Sequence, residues 1–270
     1  MAPQSHLMGA LAAEAYAMST PGPIRDTHAV ETRWSRNAPA RGYPAGVVAV
    51  PKPIPDIAFF LGGCGLWRPD PLQPLPQLPV GGVMVLGHNV HSAAGYRASL
   101  KRGREAETQP TWRNMLSLFE QVSIDQAQCF FTNVYMGFGK RKGTAGPFPG
   151  ATDVAFVTNC VEFLRAELSA QRPRLIVRLG MNVPPPVARL SSDLSNWGEG
   201  GGIKHLDASG PVRTSVTFSR ISLFATTVVA LIHPSLRHAS IRFRSYRGSV
   251  GHEADMAILR DALASHARAM

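Results

Sequence analysis

Four short stretches of this 270-residue chain carry side chains suited to binding or polarising a substrate. They are Gly87-His88-Asn89-Val90-His91, Thr132-Asn133-Val134, Gly180-Met181-Asn182 and His233-Pro234-Ser235. An amide presents a donor and an acceptor side by side, and an imidazole can donate or accept a hydrogen bond near neutral pH. Stock alternatives fit less well. The chain lacks GxGxxG after the Val83 run, Gly137, Gly139 and Gly143 are off that spacing by one residue, and Gly139-Lys140-Arg141 is no phosphate-binding Gly-Lys-Ser/Thr. A metal site built from His88, His91, His233 and His238 remains a rival. Its His-x-x-His spacing sits in a loop, with no nearby carboxylate to serve as ligand or base.

Each stretch comes directly off an apolar run, and those runs are the elements that must position it. Val83 to Leu86 reads as a buried strand broken at Gly87, Gln128 to Val134 as a second, Arg174 to Gly180 as a third and Leu223 to Ile232 as the last. Val212 to Phe218 reads as an edge strand. Between these lie a basic loop (Arg97, Lys101, Arg102, Arg104), a helix opened by Pro110-Thr111 and a Gly- and Lys-rich loop from Gly137 to Gly150. A long helix from Thr152 to Gln171 follows, another starts near Pro186, and a last one spans Glu253 to His266. The helix after Pro110 buries Met115, Leu118, Phe119 and Val122, and the long one Phe156, Cys160, Phe163, Leu164 and Leu168. Strands alternating with helices predict an α/β fold, a three-layer α/β/α sandwich around a mostly parallel, roughly four-stranded sheet. In such a sheet the strands deliver their C-terminal ends, and so the four stretches, to one crevice.

Residues 1–50 show no sustained period and read as a flexible tail, with at most a marginal helix at Leu7 to Met18. Prolines recur from Pro51 to Pro79, a segment able to wrap a surface and dock through Phe59, Phe60, Leu61 and Trp67. The folded domain is therefore set at 51–270. A formal net charge of +10 and a pI of about 10.2 favour a polyanionic partner, nucleic acid before an anionic membrane surface. Three scattered cysteines, Cys64, Cys129 and Cys160, fit neither a disulfide framework nor a zinc ribbon and point to inert thiols in a reducing cytosol. No run approaches the ~20 apolar residues of a membrane span. The first Lys or Arg is Arg25 and Glu14 interrupts the apolar part, so neither a secretory signal nor a transit peptide fits, and the expected setting is the cytoplasm, at the nucleoid.

Taken in order, Gly87-His88-Asn89, Thr132-Asn133-Val134, the strand from Pro173 to Gly180 and His233-Pro234-Ser235 resemble the motifs of the uracil-DNA glycosylase superfamily, over about Gly81 to the C-terminus. Their order, spacing and common place at strand ends carry the likeness; His-Pro-Ser or Thr-Asn-Val alone would not. The resemblance implies an enzyme that flips uridine out of DNA and hydrolyses its N-glycosidic bond, leaving an abasic site. Asn89 then falls where members hold the hydrolytic water. A neutral amide is no strong base, so it would position that water. His233 matches the histidine that hydrogen-bonds uracil O2 and stabilises the departing anion. Asn133 matches the asparagine that pairs with O4 and N3–H, a pattern cytosine cannot satisfy. Gly87, His88 and His91 would line the substrate site, with His91 where several branches carry Gly or a thymine-excluding Tyr. Trp112 stands roughly at the ring that stacks on the flipped base. Ser235, Leu236 and Arg237 lie where members pinch the backbone and push a wedge into the stack, with Arg242 and Arg244 continuing the phosphate contact.

The likeness implies no cofactor, because branches with an iron–sulfur cluster bring four cysteines and only Cys160 falls near such a position. The implied partners are uracil-containing DNA and free uracil as product, with no membrane, and the chain would act as a monomer. No lysine nucleophile stands at the strand ends, so lyase activity is not expected. Val90 departs from the proline usual after the first motif's acid or amide. Plainer readings stand beside each assignment: Asn89 and Asn133 as turn formers, His233 as a structural cap, Trp112 as core and Arg237 to Arg247 as a solvated face. Two other functions stay open, a catalytically weak relative that binds uracil-containing or damaged DNA, and the metal-dependent hydrolase.

Overall fold

A computed structural model of the chain describes residues 43–48, 81–89, 92–102, 108–140, 146–198, 202–221 and 224–267. The expected Leu7–Met18 helix, the 51–79 segment, Cys64, Val90 and His91 lie outside these residues. The strands are β1 (Val47–Val48), β2 (Val83–Asn89), β3 (Cys129–Tyr135), β4 (Phe138–Gly139), β5 (Leu175–Leu179), β6 (Val212–Val216), β7 (Thr226–Leu231), β8 (Ser245–Tyr246) and β9 (Ser249–Val250). The helices are α1 (Ala93–Arg102), α2 (Pro110–Gln121), α3 (Val154–Gln171), α4 (Pro184–Ala188), α5 (Ile203–Ala208), α6 (Arg237–Ser240) and α7 (Gly251–Ala267).

The fold is α/β. Its central sheet has five strands among the described residues, in the order β3-β2-β5-β7-β6. β2 runs parallel to β5, with Val83 opposite Leu175 and Leu86 opposite Arg178. β5 runs parallel to β7, with Leu175 opposite Thr227 and Leu179 opposite Leu231. β3, β5 and β7 are buried along their whole lengths, which is why they read as continuous apolar runs rather than alternating ones. β6 pairs antiparallel with β7 and is half-exposed, an edge strand as its polar composition predicts.

The described residues fall into two compact units. Among the described residues the first draws on 43–48, 87–102 and 130–171, the second on 81–86, 108–129 and 172–267. In the first, α3 buries the expected Phe156, Cys160, Phe163, Leu164 and Leu168, and its first turn is capped by Asp153 Oδ1, which accepts from Phe156 N–H at 2.8 Å. In the second, Pro110 opens α2, which buries Met115, Leu118 and Phe119 as the helical period requires. Burial pushes the thiols of Cys129 and Cys160 up to about 12, so neither is reactive.

Four expectations are corrected. The sheet has five strands, not roughly four, because the edge strand β6 completes it. Gly87 does not end its strand: β2 continues through His88 to Asn89, since an apolar run marks burial and not the end of the hydrogen-bonded ladder. The expected basic loop after it is helix α1, capped where Ser92 Oγ accepts from Gly95 N–H at 3.1 Å and anchored by buried Tyr96 against Phe138. Residues 43–48, the end of the expected tail, are tied down. Val47–Val48 pairs antiparallel with Phe138–Gly139, and Tyr43 sits 6.0 Å from the Phe156 ring.

Candidate active site

In the first unit the first two motifs meet a wall of aromatic rings. Alternation along β3 puts Asn133 and Tyr135 on one face and Thr132 and Val134 on the other. Thr132 is fully buried and its hydroxyl donates to both carboxylate oxygens of Glu167 on α3, at 2.9 and 3.0 Å. That bond locks the strand against the helix one residue from Asn133, itself only 1% exposed. The His88 ring stands edge-on to Tyr135 with centroids 5.2 Å apart, and edge-on to Phe148 at 6.3 Å. Tyr135 and Phe148 lie nearly parallel at 5.0 Å, with Phe156 5.9 Å beyond Phe148. Offset rings of this kind form a rigid apolar wall against His88, with Tyr135, Phe148 and Phe156 each buried in the core. His88 and Asn89 are half-buried at the end of β2, and Gly87 is buried.

In the second unit the turn after β5 and the loop after β7 are built together. Gly180 N–H donates to Leu231 O at 2.9 Å, and Gly180 adopts φ +86. A Cβ there would lie 3.1 Å from His233 Cβ, so only glycine lets the turn approach the imidazole. Gly180→Ala is therefore expected to cost about 1–2 kcal/mol of backbone strain and to displace His233. A thermal melt lowered by a few degrees, with activity down at least about tenfold, is the outcome that checks it.

Two bonds orient His233. Its Nδ1 accepts the Ser235 backbone N–H at 3.3 Å and lies 2.8 Å from Ser235 Oγ. An Nδ1 that accepts leaves the proton on Nε2, so the ring is a neutral donor. Burial works the same way, holding the histidine below its ordinary pKa of 6.5. Pro234 presets the turn, and Asn114 on α2 donates to the Pro234 carbonyl at 2.8 Å, fastening the loop from below.

No protein-family model matches the sequence, and no curated protein matches it. The chemistry therefore rests on the residues themselves. Between the lowered native value and 6.5 the unfolded chain binds a proton that the native imidazole refuses, so stability is lost as pH falls through that window. By the same sign, activity that needs neutral His233 should stay level as pH falls from about 8 through the ordinary histidine range and decline only below it. A pH–rate profile with its acid limb centred at or above 6.5 would contradict this assignment.

Of the residues expected to touch DNA, Leu236 is 49% exposed, Arg242 is exposed and Ser235 is half-buried beside His233. Two expectations are overturned. Arg237 is buried and its guanidinium pairs with Asp255, and Arg244 is enclosed between Asp255 (3.1 Å), Asp207 (3.2 Å) and the Ala230 carbonyl. Both charges are spent inside the fold and neither is available to a phosphate. Trp112 occupies a core position, 2% exposed on the inner face of α2. His91 lies outside the described residues, and among the described residues no three His, Cys, Asp or Glu side chains are placed to hold a metal ion.

Sequence reasoning missed Arg178. It is the one charged residue of β5, fully buried, donating to the Gly180 carbonyl and stacked 4.9 Å from the Trp197 ring. Desolvation drives its pKa well below the usual arginine value, with Arg244 adding to the effect. Arg178 thus holds the Gly180 turn that faces His233, and an arginine inside Leu175-Ile176-Val177-Arg178-Leu179 was the available signal. Asn114 and Phe148 carried no comparable signal.

Proposed function

We propose that this chain is a monofunctional DNA glycosylase acting on uracil, resembling the uracil-DNA glycosylase superfamily in its chemistry. The observation that carries the reading is the His233 ring pinned by Ser235, whose backbone N–H donates to Nδ1 and so leaves Nε2 as the ring's donor. A neutral imidazole donor suits a leaving group whose charge appears only as the bond breaks. In the proposed reaction the C1′–N1 bond ionises and the electron pair leaves with uracil, spreading to O2, where His233 Nε2–H donates. Asn89 orients a water onto the cationic C1′, and the proton released passes to solvent, since an amide does not take it. Asn133 reads O4 and N3–H.

The reading carries with it a three-layer α/β/α sandwich and a monomer without cofactor, working in the cytoplasm on uracil-containing DNA and releasing free uracil. It is tested with a labelled oligonucleotide bearing one uracil, incubated with the protein and a chelator, then treated with alkali. Strand scission at the uracil is the expected result. Binding without scission would instead favour a DNA-binding relative, and scission abolished by chelator a metal-dependent hydrolase.

A further inference from the structure

The segment after His233 has its polarity inside out. Pro234–Leu236, Arg237–Ser240 and Ile241–Phe243 are consecutive helical turns in the second unit. The inward positions Arg237 and Arg244 are seven residues apart, both buried on the acids Asp255 and Asp207. The outward positions Leu236, Ala239 and Phe243 follow the same helical spacing, and Leu236 and Phe243 are 49% and 47% exposed. An exposed Arg242 guanidinium lies 4.7 Å from the Phe243 ring centroid, and no acid occurs from Leu236 to Phe243. Cations buried and apolar side chains exposed reverse what solvent alone would select, so the outward face is shaped for a partner.

We infer that this face is a platform for a single-stranded stretch of DNA, with one base stacked on Phe243 and its phosphates beside Arg242. The inference rests on the glycosylase reading of the neighbouring His233 and adds the strandedness of the substrate. An aromatic ring flanked by a cation in an acid-free segment is the combination that holds single strands, through stacking plus charge. A base can present its face to Phe243 only after losing a stacked neighbour, which a continuous duplex does not allow. Seven residues of helical rise separate Leu236 from Phe243 by about 10–14 Å. With Leu236 at the extruded nucleotide, Phe243 meets a base on its flank.

The test measures binding of an undamaged fluorescent single strand of mixed sequence, and of its duplex, to the full chain and to Phe243→Ala and Phe243→Trp. Phe243→Ala should weaken single-strand binding roughly tenfold with little change for the duplex, and Phe243→Trp should restore it. Unchanged single-strand affinity in Phe243→Ala, or equal losses for both forms, would overturn the inference. So would a wild-type dimer that Phe243→Ala converts to monomer, since the stripe would then serve self-association. Uracil-free DNA keeps the two readings separable. Phe243-dependent binding without any excision would sink the glycosylase reading alone, and excision with Phe243-independent binding would sink this one alone.

Discussion

Truncating His233 to alanine should slow uracil excision at saturating DNA by about 10²–10³-fold, with strand affinity changed no more than a few-fold. The imidazole gives its bond to O2 as negative charge develops there, so its contribution belongs to the transition state and shows in kcat rather than KM. Its preorganisation is visible: Ser235 holds Nδ1 at two points, Asn114 holds the Pro234 carbonyl at 2.8 Å, and Gly180 leaves room for the ring. Single-turnover rates and equilibrium binding separate the two quantities. Equal losses of rate and affinity would mean that His233 only shapes the loop.

Asp255→Ala should destabilise the fold by about 3–5 kcal/mol, because it removes the carboxylate that two buried guanidinium groups share. Asp255 is fully buried on α7 and contacts both Arg237 and Arg244. Arg244 keeps Asp207 at 3.2 Å, whereas Arg237 is left with the His252 ring, whose other nitrogen lies 2.9 Å from Gln121. A fall in melting temperature of roughly 10 °C is the expected scale for a fold of this size. Because Arg237 starts the turn that follows Ser235 and Leu236, the same variant should also lose activity below its melting point. A melt within 2 °C or so of wild type would show that the cluster carries little of the stability.

β2, β3, β5 and β7 could be read from sequence because each contains a short, buried apolar run, and α2 and α3 because their apolar residues recur at the helical period. The charged residues misled. Arg237 and Arg244 looked like part of an acid-free basic patch, but their acids, Asp255 and Asp207, come from α7 and α5, partnerships that local composition cannot express. Helix α1 hid for a related reason: Ser92 and Tyr96 define it, while its Arg and Lys residues suggested a loop. Of the candidate site, Asn89 and His233 stood out because they close or follow apolar runs, whereas Asn133, expected to end its strand, lies inside β3, which runs on to Tyr135. The site was illegible at Phe148, a loop residue whose burial its Gly- and Pro-rich neighbours do not signal, and at Asn114, whose partner lies 120 residues away.

Direct detection of the released base tests the central claim most closely. A strand with one uracil and a strand with cytosine in its place are incubated with the wild-type chain and with Asn133→Ala, and both strand and supernatant are analysed by mass spectrometry. The account predicts free uracil together with an intact strand bearing an abasic site, none from the cytosine strand, and loss of uracil release in Asn133→Ala. An unaltered uracil strand, or a broken strand without free uracil, would contradict it.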